Sequence, residues 1–246
     1  MDMSELGAMW AGYKSSGFSR ALHPDDQMYS GGPDWYWSVG ESCLPVVGSA
    51  LVASQIKRVR SVLDFGSGYG RCARLLRALF PGAAMSFCDI APGAADFCAA
   101  SFSGRAVQLE SLPKDIDVIW LGSVFTHIDI GRMKVLFDAL AGRLSPFGVL
   151  VATTHGRKAI EVNGRHPYIG AARWAEIVKG YGETGAGYAS YGRESLGDYG
   201  VSLTSPARII ALGDDRPDLR LLSYHEGGWA NHQDAVAWCR HPLRRE

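Results

Sequence analysis

The sequence predicts an α/β protein whose core is a mostly parallel sheet with helices on both faces. Three observations carry this expectation. From residue 61 onward, short apolar runs alternate with stretches of helical periodicity. The runs are continuously apolar rather than one-sided, which suits strands buried on both faces. A glycine-rich turn joins the first run to the first helix of this alternation, where doubly wound sheets place a ligand crevice.

The elements follow in order. The first forty residues are irregular, and Gly31-Gly32-Pro33 marks a turn ahead of the aromatic cluster Trp35-Tyr36-Trp37. Pro45 suits a first helical turn, and Leu44, Val47, Leu51 and Val52 then mark one helix face. Residues 61–65 read as a short buried strand. Residues 71–80 read as a helix with Cys72, Leu75, Leu76, Leu79 and Phe80 at helical spacing, stopped by Pro81-Gly82. A second strand is expected over 84–90 and a second helix over 92–102, closed by Gly104. A brief third strand (106–109) and a fourth (116–121) come next. Met133, Leu136, Phe137, Leu140 and Leu144 stripe the following helix, and 148–154 is an apolar fifth strand.

The last third changes character. Residues 156–200 form a Gly- and Tyr-rich insertion with one helix around 173–179. Ser205-Pro206 reads as a cap and first-turn proline, opening a short helix through Ile209, Ile210 and Leu212. Residues 219–224 and 234–239 read as two final strands, antiparallel across the Gly227-Gly228 turn region. The expected organisation is an N-terminal lid and lead-in helix over 1–60. A core follows over 61–246, with a cap insertion at 156–200.

Composition narrows the function classes. The chain has 246 residues, 47% of them hydrophobic and 20% charged, so a sizeable core is expected and disorder is not. Formal net charge is zero, which argues against the basic footprint of a nucleic-acid binder. The five cysteines (Cys43, Cys72, Cys88, Cys98, Cys239) are scattered and form no C-x-x-C pair. Buried free thiols in a reducing cytosol fit better than zinc or disulfides. No HEXXH, G-x-S-x-G or paired acidic metal motif occurs, so no metal is expected. The N-terminal residues carry Asp2 and Glu5 without an apolar signal segment. No apolar run approaches the ~20 residues of a membrane span. A soluble, cytoplasmic chain is expected, and no feature specifies an oligomeric state.

Chemistry concentrates at Asp64-Phe65-Gly66-Ser67-Gly68-Tyr69-Gly70. Glycines there let backbone pass close to a ligand and adopt positive φ, and the next helix offers free N–H groups. Dinucleotide sites use G-x-G-x-x-G/A, whereas this loop is G-x-G-x-G with an acid two residues ahead. Asp89 ends the second strand, where a carboxylate can accept both ribose hydroxyls.

This combination resembles motif I and the following acid of class I S-adenosylmethionine (SAM)-dependent methyltransferases. The resemblance covers residues 61–155 and, more loosely, 205–240. It implies a Rossmann-like, doubly wound, seven-stranded sheet whose last strand, 234–239 here, inserts antiparallel beside strand five. SAM is the implied cofactor, held by Asp64, Gly66, Ser67, Gly68, Gly70, Asp89 and Ile90. Gln108-Leu109-Glu110-Ser111-Leu112-Pro113 looks like the family's adenine-receiving segment, with Gln108 standing where an acid is usual and Leu109 supplying the next N–H. Leu121-Gly122-Ser123-Val124-Phe125-Thr126-His127 resembles the segment lining the cofactor and the methyl-transfer site, which adds Ser123. More narrowly, Thr153-Thr154-His155-Gly156, residues 199–203 and residues 228–234 resemble a bacterial subgroup. Its members accompany glycosyltransferases in surface-polysaccharide synthesis, which makes a glycosyltransferase the implied partner.

The implied reaction is an in-line displacement that needs an aligned acceptor and, for a hydroxyl acceptor, a base. His127 and His155, at the carboxyl ends of adjacent strands, should both face the crevice, and His127 is the first choice. Tyr168, Trp174, Tyr181, Tyr188, Tyr191 and Tyr199 could form a stacking surface for a sugar or a satellite core of the cap. Arg157, Arg165 and Arg193 could hold an anionic group. The resulting expectation is O-methylation of a small molecule or glycan. The competing readings are a SAM-binding accessory of a glycosyltransferase system and, against the glycine spacing, an NAD-linked oxidoreductase. The segment after strand four lacks the Asn/Asp-Pro-Pro-aromatic loop of base amino methylation.

Overall fold

The computed structural model describes residues 1–192 and 198–241. Its strands are β1 (Ser61–Phe65), β2 (Ala84–Cys88), β3 (Gly104–Ala106), β4 (Ile116–Leu121), β5 (Leu144–Thr154), β6 (Ala186–Ser190), β7 (Gly200–Thr204), β8 (Leu219–Trp229) and β9 (Gln233–Arg240). Seven of them form one sheet in the order β3-β2-β1-β4-β5-β9-β8, and β6 and β7 pair separately. β1 to β5 run parallel, and β9 lies antiparallel between β5 and β8. The mostly parallel seven-stranded sheet with its inserted antiparallel strand is therefore present.

Strand alternation divides the core. Val62, Val118, Trp120, Val149, Val151, Ala235 and Ala237 point to one face. Leu63, Ile119, Leu121, Leu150, Ala152, Val236 and Trp238 point to the other. Successive strand side chains alternate faces, and here both sets are buried, so the central strands are apolar throughout.

Helices cover the first face: α1 (Met3–Ser16), α2 (Pro33–Glu41), α3 (Cys43–Ser54), α4 (Ala73–Leu79) and α5 (Ala94–Ser101). α1 opens on a capping box, in which Asp2 accepts from the Glu5 N–H at 2.8 Å and Glu5 accepts from the Asp2 N–H at 2.7 Å. Leu44, Val47 and Leu51 of α3 are fully buried, so this helix is a sheet-covering element and not only a lead-in. The second face carries α6 (Ile130–Ala141), capped by Asp129, and α9 (Pro206–Ile210), capped by Ser205 with Pro206 in its first turn.

Several boundaries differ from expectation for identifiable reasons. Leu144 belongs to β5, paired with Ile116, because α6 ends at Ala141 and is capped at Gly142. The third strand is Gly104–Ala106 and excludes Gln108. There the Ser111 N–H and hydroxyl both bond to the Gln108 carbonyl (3.0 and 3.3 Å), closing a 3₁₀ turn.

The insertion is more ordered than its composition suggests. It holds α7 (Arg157–Asn163), α8 (Ala171–Thr184) and β6, which with the adjoining β7 surround a small core of Ala159, Ile177, Ala189, Val201 and Leu203. Tyr168, Trp174, Tyr181 and Tyr191 pack against that core, so most of the insertion's aromatics serve the cap's own packing. Arg193 lies outside the described residues. Among the described residues, no helix is long and apolar enough to cross a membrane.

Candidate functional site

At the carboxyl ends of β1, β2 and β4 opens a cavity of about 920 Å³. The glycine loop after β1 forms its floor. Gly66, Gly68 and Gly70 have φ of 77°, 49° and 87°, a region that a Cβ disfavours. Their surroundings separate their roles. A Cβ on Gly66 would meet Val124 Cγ2 at 2.3 Å and one on Gly70 would meet Phe102 Cε2 at 2.2 Å, whereas one on Gly68 would meet nothing within 4 Å. Gly66 and Gly70 permit close packing, while Gly68 borders open space.

The loop is held from two sides. The Gly66 and Ser67 N–H groups donate to the Cys88 carbonyl at 2.8 and 3.1 Å. Asp89 accepts from the Gly68 N–H and the Ala91 N–H, each at 2.7 Å. Each carboxylate oxygen has a second lone pair, so Asp89 keeps acceptor capacity toward the cavity. From behind, buried Arg74 donates to the Gly70 carbonyl at 2.7 Å, to Tyr69 at 3.0 Å, and to Ser19 and Ala21 at 3.1 and 2.6 Å. That side chain ties the N-terminal segment to the loop.

Asp64, 1% exposed, lines the cavity with its Oδ2 unpartnered. Burial, reinforced by Cys72 and Asp89, holds its carboxyl well above the usual range. Leaving such an atom without a partner is costly, so a polar partner is expected there.

After β4 the chain turns at Ser123, a non-glycine residue with φ of 64°. The Ser123 N–H donates to Thr153 Oγ1 at 2.7 Å, Thr153 donates to Gln233 Oε1 at 2.6 Å, and Gln233 Nε2 donates to Ser123 Oγ at 2.9 Å. This closed ring joins the ends of β4, β5 and β9. Gln233 and Thr153 were not singled out from the sequence as site residues.

His127 lines the same cavity and stacks on Tyr199, with ring centroids 4.5 Å apart. Its Nδ1 lies 2.8 Å from the Gly200 carbonyl oxygen. A carbonyl only accepts, so Nδ1 carries the proton and Nε2 holds the lone pair. Burial lowers the His127 pKa, with the Gly200 bond opposing. Tyr199 is pushed up to about 12, chiefly by burial, and remains a neutral phenol.

The expected residues divide accordingly. Asp64, Gly66, Ser67, Gly68, Asp89, Ile90, Leu109, Ser123 and His127 line one cavity, whereas Gly70, Gln108 and His155 do not. Gln108 is exposed in the turn after β3. His155 is a correction to the expected crevice-facing pair. It is 4% exposed and packs between Tyr168 (4.8 Å) and His232 (5.3 Å) under the cap. Burial, with His232 and His127 nearby, pushes its pKa down to about 3. Trp35-Tyr36-Trp37 does not line the cavity, and the N-terminal wall comes from Asp26 and Met28 instead. Arg157 is bound to Glu226 at 2.6 Å.

The sheet order, the inserted antiparallel strand and the crevice after β1 define the Rossmann-like methyltransferase fold. Solved structures agree. The chain is similar to the plantazolicin methyltransferase in complex with a pentazolic analogue and SAH (16% identity, TM-score 0.57, 97% of this chain and 98% of that one). It is similar to magnesium protoporphyrin IX methyltransferase from Synechocystis PCC 6803 with bound SAH (13% identity, TM-score 0.51, 96% and 95%). It also resembles mitomycin 7-O-methyltransferase (15% identity, TM-score 0.51), covering 80% of this chain but only 54% of that one. No family model and no curated protein sequence matches the chain.

Proposed function

We propose that this protein is a SAM-dependent methyltransferase acting on a hydroxyl group of a small molecule or glycan. One observation carries the reading: a neutral imidazole of fixed tautomer, His127, shares a cavity with the glycine loop and Asp89. The residues present suit the cofactor. Gly68 borders open space, Asp64 Oδ2 lacks a partner, and Asp89 keeps free acceptor capacity.

In this reading Asp64, Gly66, Ser67 and Gly68 receive the methionine end, with Gly70 packing the loop against α5. Asp89 takes the ribose hydroxyls, while Ile90 and Leu109 border the adenine. Gln108 contributes through the turn it caps and not by contact. Bound SAM supplies an electrophilic methyl group on a sulfonium. His127 Nε2 accepts the acceptor's hydroxyl proton, and the Gly200 carbonyl steadies the proton on Nδ1. Ser123, fixed by Gln233 and Thr153, shapes the wall beside the reacting atoms. His155 acts through packing under the cap.

The O-methyltransferase among the similar structures supports a hydroxyl acceptor. The glycan acceptor, the glycosyltransferase partner and a cytoplasmic site of action rest on the sequence resemblance alone. The test is SAH release from SAM with a panel of hydroxylated small molecules and oligosaccharides. We expect turnover with at least one of them, lowered by about 10²–10⁴-fold in His127→Ala. SAM binding without turnover across the panel would favour the accessory reading.

A further inference from the structure

Arg71 lies between the glycine loop and α4 and lines the cavity. Its guanidinium sits 5.6 Å from the Trp35 ring centroid and 5.4 Å from that of Trp229. Trp229 is itself anchored, its indole N–H donating to the Val39 carbonyl at 3.0 Å. Among the described residues, two arginines line the cavity. Arg132 is engaged by Asp129 at 3.2 Å and by Asp198 at 2.6 Å. Among the described residues, Arg71 has no ion pair and no side-chain hydrogen bond. Ring faces attract a guanidinium but leave its five N–H donors unused. The cation is therefore held in place with its hydrogen-bonding capacity unspent.

A second observation points the same way. Asp64, buried and with an unpartnered oxygen, lines the same cavity. The Asp64 carboxyl and the Arg71 guanidinium do not pair with each other. An unpaired carboxyl and an unpaired guanidinium in one cavity match a ligand bearing an ammonium and a carboxylate together.

We propose that Arg71 is a carboxylate-binding residue and that, with Asp64, it receives an α-amino-acid zwitterion. The amino acid is either the methionine end of the cofactor, which rests on the methyltransferase reading, or a separate amino-acid acceptor. Trp35 and Trp229 are positioning residues that hold the guanidinium.

The test is calorimetric titration of wild type, Arg71→Gln and Arg71→Lys with SAH, with 5′-methylthioadenosine, which lacks the amino acid, and with L-methionine. We expect Arg71→Gln to weaken SAH at least tenfold and leave methylthioadenosine unchanged, which also shows that the variant folds. Arg71→Lys should fall between. Unchanged SAH affinity, with methionine binding to SAH-loaded wild type lost in Arg71→Gln, assigns the site to a separate amino acid. Equal affinities in wild type and Arg71→Gln for SAH and methionine overturn the proposal, as does parallel loss of SAH and methylthioadenosine in both variants. If wild type binds neither nucleoside, the methyltransferase reading fails. Methionine titrated onto ligand-free protein then tests Arg71 alone, and Arg71-dependent binding supports the site.

Discussion

His127 donates its Nδ1 proton to the carbonyl oxygen of Gly200 at 2.8 Å, across 73 residues of sequence. The bond joins the turn after β4 to the first residue of β7, so the cap insertion orients the candidate base. Ser202 adds a second tie, its hydroxyl donating to the Phe125 carbonyl at 2.7 Å.

This geometry sets the first prediction. Replacing His127 with Ala removes the base and should lower turnover by about 10²–10⁴-fold, while SAH affinity stays within twofold. Burial lowers the His127 pKa, so the neutral base persists below the ordinary imidazole range. Wild-type turnover should hold as pH falls through 6.5 and decline only below it. A kinetic pKa for this base at or above 6.5 would contradict the assignment.

The glycine loop separates packing from binding. Gly70→Ala forces a Cβ into Phe102 at 2.2 Å with φ of 87°, and should destabilise the fold by roughly 2 kcal/mol or more. Gly68→Ala meets no atom within 4 Å and should cost the fold only about 1 kcal/mol in backbone strain. It should nonetheless weaken SAH at least tenfold, because its methyl enters the cavity. Denaturant melts and calorimetry on both variants check the division.

Gln233 makes a third case. Leucine in its place removes the acceptor of the buried Thr153 hydroxyl and one of the two partners of Ser123 Oγ, the other being Thr126 Oγ1 at 3.2 Å. A loss of about 1–3 kcal/mol is expected from unsatisfied polar groups, together with lower turnover from a freed Ser123. A Gln233→Leu variant as stable and as active as wild type would remove the ring from the account.

His155 should mark the acid limb of stability. Its folded pKa of about 3 lies below the ordinary 6.5. Between those values the unfolded chain binds the extra proton, so stability is fully present above 6.5 and is lost as pH falls toward 3. The full effect is on the order of 5 kcal/mol. His155→Phe keeps the ring stacking on Tyr168 and should flatten melting temperature against pH across this window.

The sequence made some of this legible and hid the rest for physical reasons. The runs at 61–65, 116–121 and 148–154 declared buried strands because both faces are covered. The glycine loop was readable because its function imposes a backbone, and a backbone imposes glycines. β6 and β7 were invisible because packing erased their signal. A Cβ on Gly187 would meet the Ile177 carbonyl at 1.8 Å and one on Gly200 the Ala189 carbonyl at 2.2 Å. Glycine at those close approaches reads as loop. The ring of Ser123, Thr153 and Gln233 closes over separations of 80 and 110 residues, which no local pattern carries. His155 was misplaced because strand position fixes how far along the sheet a residue lies, but not which way the chain turns after the last rung. Here Gly156 packs against Asp234 and His155 sits under the cap.

The cavity after β1 is proposed to hold the SAM nucleoside and not a dinucleotide. Melting the purified protein with SAH and, separately, with NAD tests it most directly, since a ligand present at 100 times its Kd stabilises by about 2.7 kcal/mol. We expect SAH to raise the melting temperature by several degrees, an effect lost in Asp89→Ala, and NAD to leave it unchanged. A rise with NAD and none with SAH would contradict the account.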